Sequence, residues 1–395
     1  MEKVLSKKMK EKVTGLFFAL LRSEICGTEF CRTETPSLEE LQSLYKLSKK
    51  HDLTHIIANA LEKNGYLPDG SEAKKYFDKE RNTAIFRYEQ LAFEYARICQ
   101  ALDETSAPYL PLKGSVIRSL YPEAWMRTSC DIDILVPESR LDDTKDALIE
   151  KLGYTCPENK KVNEISLYSE NGVHLELHYD LTEGDRYGKK ILSHIFDYTV
   201  KTGNGNMLAL TDEAFYFYHI AHMMKHFEFG GCGVRYFIDL WILNNKLPQN
   251  SQKRDELLKK GDCLAFAKGM EKLCKVWFDG EQKDEQSQAL EEYILSGGTY
   301  GTMQNLVTTQ QAKKGGKFRY ILSRIFISNK ELKLKYPALE KRPYLAPFYH
   351  IRRWFKPLFK RDSAKRSFSE LNQTAEVTEE EKQKREKLLK NLGIK

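Results

Sequence analysis

The chain has 395 residues, 41% of them hydrophobic and 30% charged, with a net charge of +7, which indicates a globular protein of two or three compact units and excludes disordered and fibrous classes. Its eight cysteines form no Cys-x-x-Cys pair, which argues against a zinc ribbon and a secreted disulfide framework. Because no apolar run approaches the ~20 residues that cross a bilayer, and no secretory signal is visible, we expect a cytoplasmic protein without a transmembrane segment.

The first region, residues 1–105, is predicted to be helical. Apolar residues recur at spacings of three and four from residue 38 until Gly65, which closes the pattern. A second amphipathic pattern extends from Glu72 to Ala101. Strand signals are few in this region, so we predict an N-terminal helical region.

The second region, residues 106–205, changes to the periodicity of a small sheet. Its predicted elements are, in chain order, a strand at 107–113, a turn at Gly114-Ser115, a short helix at Ser115–Tyr121, a strand at 130–136 that Pro137 stops, a helix at Arg140–Leu152 that Gly153 ends, and strands at 165–169 and 173–179 joined by Glu170-Asn171-Gly172.

The remaining chain is predicted to be helical from 206 to 316, with Thr211 as an N-cap, followed by a basic arm and a charged tail at 317–395. Residues 317–366 hold 15 basic and 3 acidic residues. This arm is either a solvated basic face whose aromatic side chains pack on the protein, or a surface for a polyanion or an anionic membrane. Beyond it we predict a frayed or solvent-exposed helix. The aromatic-rich part of the arm interleaves two sets of side chains, the basic Arg352, Arg353, Lys356, Lys360 and Arg361 and the aromatic Tyr349, Trp354 and Phe359.

Two acidic residues, Asp131 and Asp133, are predicted to lie on one face of the strand at 130–136, because alternate side chains of a strand share a face. Like charges at this spacing repel, and a divalent cation resolves the repulsion. Hard carboxylate ligands suit Mg²⁺, with Mn²⁺ as the alternative. The third carboxylate would be Glu176, which shares a strand face with His174 and His178, provided that its strand pairs beside the Asp strand.

The turn at Lys113-Gly114-Ser115 joins a predicted strand to a predicted helix, a place where backbone amides hold phosphate and glycine permits close approach. Arg127, four residues before Asp131, can match phosphate oxygens with its guanidinium. The alternative for Arg127 is a surface ion pair with Glu123. Lys113, Gly114, Ser115 and Arg127 are therefore the predicted phosphate-binding residues.

The strings LPLKGSVIRSLYPEAWMRTSCDIDILV and VHLELHYD resemble the DNA-polymerase-β-type nucleotidyltransferase superfamily, in particular a poorly characterised bacterial branch with helices on both sides of a small catalytic core. The motifs lie within residues 107–180. The resemblance implies that Gly114 and Ser115 bind a nucleoside triphosphate, with ATP as the candidate. It also implies that Asp131, Asp133 and Glu176 bind two Mg²⁺. Ser115 and Asp131 are 16 positions apart, which is longer than the usual superfamily spacing.

Further polar residues lie in the predicted C-terminal helices. His219, His222 and His226 share one helical face. One interpretation of this face is a zinc site. The other is that the histidines are buried and that one of them, together with Lys225, faces the nucleotide or the acceptor. Gly230-Gly231-Cys232-Gly233 predicts a flexible turn. The i, i+4 spacing of Arg235 and Asp239 predicts a structural ion pair.

The sequence therefore predicts an α+β protein, with a small mixed-sheet nucleotidyltransferase core flanked by N-terminal and C-terminal helical regions. Its predicted activity is Mg²⁺-dependent transfer of a nucleoside monophosphate from a nucleoside triphosphate to an unknown hydroxyl or amine acceptor on a small molecule, a protein or an RNA. The alternatives are a catalytically idle relative that only binds, and an interaction protein of the toxin–antitoxin kind.

Overall fold

The structure is a computed structural model that describes residues 6–30, 34–157, 163–182, 187–203, 205–299, 301–329, 332–333, 336, 338–355 and 373–394. It divides into two compact units. The first unit consists of Met1–His222 with Val234–Lys283, and the second of Met223–Gly233 with Asp284–Lys395. The four regions that we outlined from the sequence remain a prediction.

The helices of the N-terminal part begin and end at residues whose side chains or backbone serve as caps. They are α1 (Lys7–Ile25), α2 (Leu38–Lys50), α3 (Thr54–Lys63) and α4 (Glu72–Asp103). Ser37 and Glu40 form a capping box at the start of α2, and Ser71 caps α4. The pattern from residue 38 to Gly65 is two helices rather than one, because the chain turns at Asp52, whose φ is +56°.

The sheet region follows with β1 (Leu110–Pro111), α5 (Gly114–Ile117), β2 (Asp131–Leu135), α6 (Leu141–Leu152), β3 (Glu164–Tyr168) and β4 (His174–His178). The strand order is β1-β2-β4-β3. β1 is antiparallel to β2, β2 is parallel to β4, and β4 is antiparallel to β3. Gly153 ends α6 with a φ of +69°, a left-handed conformation that favours glycine. The predicted α+β class with a small mixed sheet is confirmed.

One face of this sheet packs on helices α4 and α6. Its core contains Ile132 and Ile134 from β2 and Leu175 and Leu177 from β4, together with side chains from both helices. Because side chains alternate along a strand, burying this face turns Asp131, Asp133 and Glu176 to the opposite face. The apolar core therefore sets which side of the sheet carries the acidic residues.

The rest of the first unit consists of a small second sheet and further helices. They are α7 (Lys189–Leu192), β5 (Thr199–Lys201), β6 (Leu208–Leu210), α8 (Asp212–Glu228), α9 (Val234–Lys246), α10 (Ser251–Lys260) and α11 (Leu264–Phe278). The last residues of one of these helices, α8, belong to the second unit. The antiparallel pair β5-β6 was not foreseen from the sequence. The predicted N-cap of α8 is confirmed, because the Ala214 amide donates to Thr211 Oγ1 at 3.3 Å.

The second unit contains α12 (Glu285–Gly297), α13 (Met303–Lys314), α14 (Lys317–Ile325), α15 (Ala338–Lys341), α16 (Ala346–Phe355) and α17 (Glu379–Asn391). As predicted, α17 is a charged helix with most of its side chains exposed, but its apolar edge is packed rather than frayed. Its apolar side chains are buried, and the Arg385 guanidinium lies 3.8 Å from the ring centroid of Tyr293 on α12. The tail packs because its last residues are apolar at helical spacing, namely Leu388, Leu389, Leu392 and Ile394.

None of the helices in the described part of the chain combines the length and the apolar character needed to span a bilayer. Of the basic arm, Lys356, Phe359, Lys360 and Arg361 lie outside the described residues.

Two buried histidines of the first unit predict how its stability changes with pH. His55 Nε2 donates to the Met126 carbonyl at 2.8 Å and His219 Nε2 to the Tyr236 carbonyl at 3.0 Å. Burial lowers the pKa of both imidazoles. The folded chain keeps them neutral, whereas the unfolded chain protonates them near the ordinary pKa of about 6.5. The free energy of unfolding should therefore decrease as the pH falls through that value.

The measurement is the melting temperature of the wild type and of His219→Gln between about pH 7.5 and about pH 5.5. We expect the melting temperature of the wild type to fall more steeply with decreasing pH than that of the variant, although the variant is less stable at neutral pH. The exposed His194 provides the control, since His194→Gln should retain the wild-type slope. Equal slopes in all three proteins would contradict the prediction.

Candidate functional site

The polar face of the sheet brings the three predicted acidic residues together. In the parallel pairing of β2 and β4, Asp131 lies opposite His174 and Asp133 lies opposite Glu176. The condition that the strand of Glu176 must pair beside the Asp strand is confirmed. The carboxylates therefore meet because two strands that are distant in the sequence are neighbours in the sheet.

Side chains on this face form two overlapping sets of possible metal ligands. One set is Asp131, His174 and Glu176, and the other is Asp133, Glu176 and His178. Within each set the ligand atoms lie within 4.8 Å of one another. Glu176 belongs to both sets, so it is the residue that a pair of neighbouring ions would share.

Asp133 is buried and already has two cationic or hydrogen-bonding partners. Lys113 Nζ lies 2.7 Å from Asp133 Oδ1, and His178 Nε2 donates to the same oxygen at 2.9 Å. His178 Nδ1 in turn lies 3.4 Å from Glu164 Oε2. Burial alone would raise the pKa of Asp133, but the Lys113 ammonium and the bond from His178 outweigh it and hold that pKa below its usual range. Asp133 is therefore ionised.

For Asp131 and Glu176 the pKa shift has the opposite direction. Burial raises the pKa of both carboxyl groups, and the negative charge of Asp133 raises it further. Their ionised forms lack a compensating positive charge strong enough to offset this. A divalent cation on this face would supply that charge, which is the physical reason to regard these carboxylates as metal ligands.

The donor set fits a divalent cation. Three carboxylates offer the hard oxygen ligands that Mg²⁺ prefers, and the two imidazoles add nitrogen donors that Mn²⁺ accepts more readily. The residues that would hold the ion are Asp131, Asp133 and Glu176, with His174 and His178 adjacent to them.

The predicted phosphate-binding turn lies at the end of β1. A Cβ atom at Gly114 would lie 3.3 Å from Ser129 Cβ, so the backbone passes this side chain closely and a larger residue would require Ser129 to shift by a few tenths of an ångström. The Ser115 amide donates to the Leu112 carbonyl at 3.1 Å. That amide is engaged within the turn, so any contact of Ser115 with phosphate would come from its hydroxyl.

Lys113 adopts a φ of +46°, which is uncommon for a residue with a side chain. Such a conformation costs about 1–3 kcal/mol and persists where surrounding contacts enforce it. Here the ion pair with Asp133 is one such contact. This backbone conformation directs the Lys113 side chain toward the acidic residues, where its ammonium contacts Asp133.

Arg118 is a site residue that the sequence did not single out. Its Nε donates to the Gly114 carbonyl at 2.7 Å and its Nη2 to Ser129 Oγ at 2.7 Å. Burial, followed by the positive charge of Arg127, lowers its pKa to about 10, so it remains cationic at neutral pH. Its position one helical turn after Gly114 is the signal that could have identified it.

Arg127 lies in the interior of the first unit. Its Nε donates to both carboxylate oxygens of Asp239, at 2.8 and 3.1 Å, and Tyr121 Oη donates to the same carboxylate at 2.6 Å. The alternative of a surface pair with Glu123 is therefore wrong. Asp239 becomes the partner because α9 lies against this segment, a contact between residues 112 positions apart.

The predicted i, i+4 pair of Arg235 and Asp239 is also wrong. Arg235 Nη1 lies 3.2 Å from Asp52 Oδ2, while Asp239 pairs with Arg127. The reason is that Asp239 is buried toward Arg127, whereas Arg235 points to the loop between α2 and α3.

The histidines of α8 are not among the metal-ligand sets found in the described part of the chain. His219 is buried and bonds to the Tyr236 carbonyl. The ring centroids of His222 and Tyr218 lie 6.1 Å apart. These observations agree with the interpretation of buried, packed histidines for His219.

Comparison with known proteins gives one result. A family model described as an uncharacterised nucleotidyltransferase matches residues 37–279, which is more than half of the chain and extends from α2 to α11. No curated protein and no solved structure matches the chain. The matched region includes the acidic cluster, the turn at Gly114 and the Arg127–Asp239 pair.

Proposed function

The chain belongs to this family of uncharacterised nucleotidyltransferases, and we propose that the acidic face of its sheet carries a Mg²⁺-dependent transfer of a nucleoside monophosphate. As a nucleotidyltransferase it is an enzyme that transfers a phosphorus-containing group. In this proposal Asp131, Asp133 and Glu176 bind the Mg²⁺. The nucleoside monophosphate passes from a nucleoside triphosphate, with ATP as the candidate donor, to a hydroxyl or amine acceptor.

One observation carries the proposal. Asp131, Asp133 and Glu176 converge on one polar face through the parallel register of β2 and β4. A purely structural role does not account for three carboxylates at this spacing, since two of them have raised pKa values for lack of compensating charge. The arrangement instead suits a site that binds cations together with a polyphosphate.

Divalent ions, when bound, would neutralise the triphosphate and stabilise the attacking and leaving oxygens. In the proposed reaction the acceptor oxygen or nitrogen forms a bond to the α-phosphorus, and the bond from that phosphorus to the β-phosphate oxygen breaks. Pyrophosphate leaves with that bonding pair. The acceptor proton passes to solvent water, because the three carboxylates of this face are the proposed ligands of the ions.

Positive side chains of the protein would position the triphosphate. Arg118 lies against the Gly114 turn, and its hydrogen-bond partners there are a carbonyl and a hydroxyl. Its charge is thus available to phosphate oxygens, which a guanidinium binds in a bidentate manner. Ser115 would add its hydroxyl. Lys113 keeps Asp133 ionised, and most of the catalytic effect is positioning and charge stabilisation.

The experiment that tests this function supplies an α-phosphate-labelled nucleoside triphosphate and Mg²⁺ to the full chain in cell extract. The extract is then separated into small-molecule, RNA and protein fractions. We expect label in one fraction with the wild type and none with Asp131→Asn. Label in any fraction would support the transfer and identify the class of acceptor, with the protein or RNA fraction being the one that the toxin–antitoxin alternative also expects. Label in no fraction would favour the idle relative.

Binding of the nucleotide can be measured in the wild-type protein by the rate at which its exposed cysteines are alkylated. Cys130 is exposed and precedes Asp131, and Cys156 is exposed in the same unit. We expect Mg²⁺ with ATP to slow the alkylation of Cys130, measured by peptide mass spectrometry, while Cys156 reacts at an unchanged rate. Protection of Cys130 without transfer would separate an idle binder from an enzyme. Equal reactivity of Cys130 with and without the nucleotide would contradict binding at this site.

A further inference from the structure

The second unit presents apolar side chains to solvent on α14 and on the residue that follows it. Phe318, Leu322, Ile325 and Phe326 are between 38% and 73% exposed. Their spacings of four, seven and eight residues place them on one side of the helix. Tyr320, on the opposite side of α14, is buried. The helix thus faces the protein with one side and offers a second apolar side outward.

The helix α16 repeats this arrangement. Tyr344, just before it, and Phe348, Ile351 and Phe355 are between 48% and 74% exposed and recur at spacings of three and four. On the inner side, Tyr349 packs against a small buried cluster formed by Ile327, Leu332 and Leu339. The outward apolar residues are therefore additional to those that the fold uses for its own core.

Direct contacts hold the two helices together at one end. Trp354 Nε1 donates to the Ile325 carbonyl at 2.8 Å, and Arg353 Nη2 donates to the Arg324 carbonyl at 2.7 Å. The rings of Phe326 and Trp354 meet edge to face, with centroids 5.7 Å apart. Trp354 remains 40% exposed, so it is not part of the core. The two apolar sides are joined at this contact, and we call them together the arm surface. It consists of Phe318, Leu322, Ile325, Phe326, Tyr344, Phe348, Ile351, Trp354 and Phe355.

Basic residues accompany the apolar residues of the arm surface. Lys317, Arg319 and Arg324 are exposed on α14, where Arg319 lies beside the apolar side, and Arg352 lies next to Ile351 on α16. Between 317 and 355, the acidic residue among those described is Glu340. Apolar side chains bordered by arginine and lysine are the pattern of helices that lie in the interface of an anionic bilayer.

We propose that the arm surface docks on an anionic lipid surface. Phe318, Leu322, Phe348 and Ile351 would insert between the headgroups, and the neighbouring arginines would contact lipid phosphates. This proposal does not depend on the proposed function. An anionic membrane accounts for both features of the arm surface, whereas an RNA would account for the charge and leave the aliphatic side chains exposed to water.

The test is cosedimentation of the full chain with large vesicles of phosphatidylcholine, with and without phosphatidylglycerol. We expect binding to the anionic vesicles that weakens as salt is raised. The pair Phe318→Ser with Phe348→Ser should weaken vesicle binding by roughly tenfold or more, because two inserted rings are lost. The pair Arg319→Gln with Arg352→Gln should weaken it mainly at low salt.

The matched control removes two exposed aromatic residues from the other unit. Phe86 and Phe93 are 69% and 63% exposed on α4, and their replacement by Ser should leave vesicle binding unchanged. Circular dichroism and melting temperature establish that each variant is folded. Equal loss in the control pair would overturn the proposal. It would also be overturned by tight binding of an RNA oligonucleotide without vesicle binding, or by an apolar pair that changes the oligomeric state alone.

Discussion

Replacing Asp131 with Asn should reduce nucleotidyl transfer by roughly a hundredfold or more while the melting temperature without metal rises slightly. The loss of activity follows from the loss of a carboxylate ligand. The gain in stability follows because burial and the charge of Asp133 already disfavour the ionised form of Asp131, so a neutral amide relieves repulsion. Transfer of a labelled nucleotide and thermal unfolding with EDTA are the measurements.

Asp133→Asn should abolish transfer equally but should lower the melting temperature. This variant leaves the Lys113 ammonium and His178 without the carboxylate that they contact. Breaking a fully buried ion pair costs about 3–5 kcal/mol, and we expect roughly 2 kcal/mol here because water reaches part of Lys113, whose side chain is 22% exposed. We therefore expect the two aspartates to differ in their effect on stability, although the proposed function requires both for activity.

The control for both variants is Asp143→Asn, which removes an exposed carboxylate from α6 in the same unit. It should retain wild-type transfer and stability. If Asp131→Asn and Asp133→Asn retain wild-type turnover with Mg²⁺, the metal assignment is refuted. If both variants lose activity but show the same change in melting temperature, the Lys113–Asp133 contact is not the stabilising interaction that we describe.

The second large effect concerns the buried pair of Arg127 and Asp239, whose side chains are 9% and 2% exposed. Burial alone would raise the pKa of Asp239, but the neighbouring Arg127 guanidinium holds that pKa below its usual range. Asp239→Asn should therefore destabilise the first unit by about 3–5 kcal/mol and lower its melting temperature by on the order of 10 °C, because Arg127 is left buried without a counter-charge. Thermal unfolding measures this effect.

The double variant Arg127→Met with Asp239→Leu removes both charges and should recover much of the lost stability. The same protein tests whether Arg127 contacts phosphate. We expect it to keep the protection of Cys130 by Mg²⁺ and ATP, since the guanidinium is committed to Asp239 and we assign the phosphate contact to Arg118. If Cys130 is no longer protected in a stable double variant, Arg127 contacts the nucleotide, as the sequence predicted.

Features that depend on neighbouring residues were predictable from the sequence alone. The alternation of Asp131 and Asp133 with Ile132 and Ile134 predicted β2 and its acidic face, because a strand has a period of two whatever it pairs with. Gly153 predicted the end of α6 for an equally local reason, the left-handed conformation that glycine adopts at low cost. Together with the resemblance of the motifs, these signals were sufficient to identify the class of fold and the candidate acidic residues.

Features that depend on pairing across the chain required the tertiary structure. The parallel register that sets Asp133 opposite Glu176 joins residues 43 positions apart, and the burial of Arg127 against Asp239 joins residues 112 positions apart. No local periodicity encodes such partners, since the free energy that selects them comes from burying the apolar faces of whole elements. The sequence by itself thus determined which residues offer the chemistry, and the packing of strands and helices decided which of them meet.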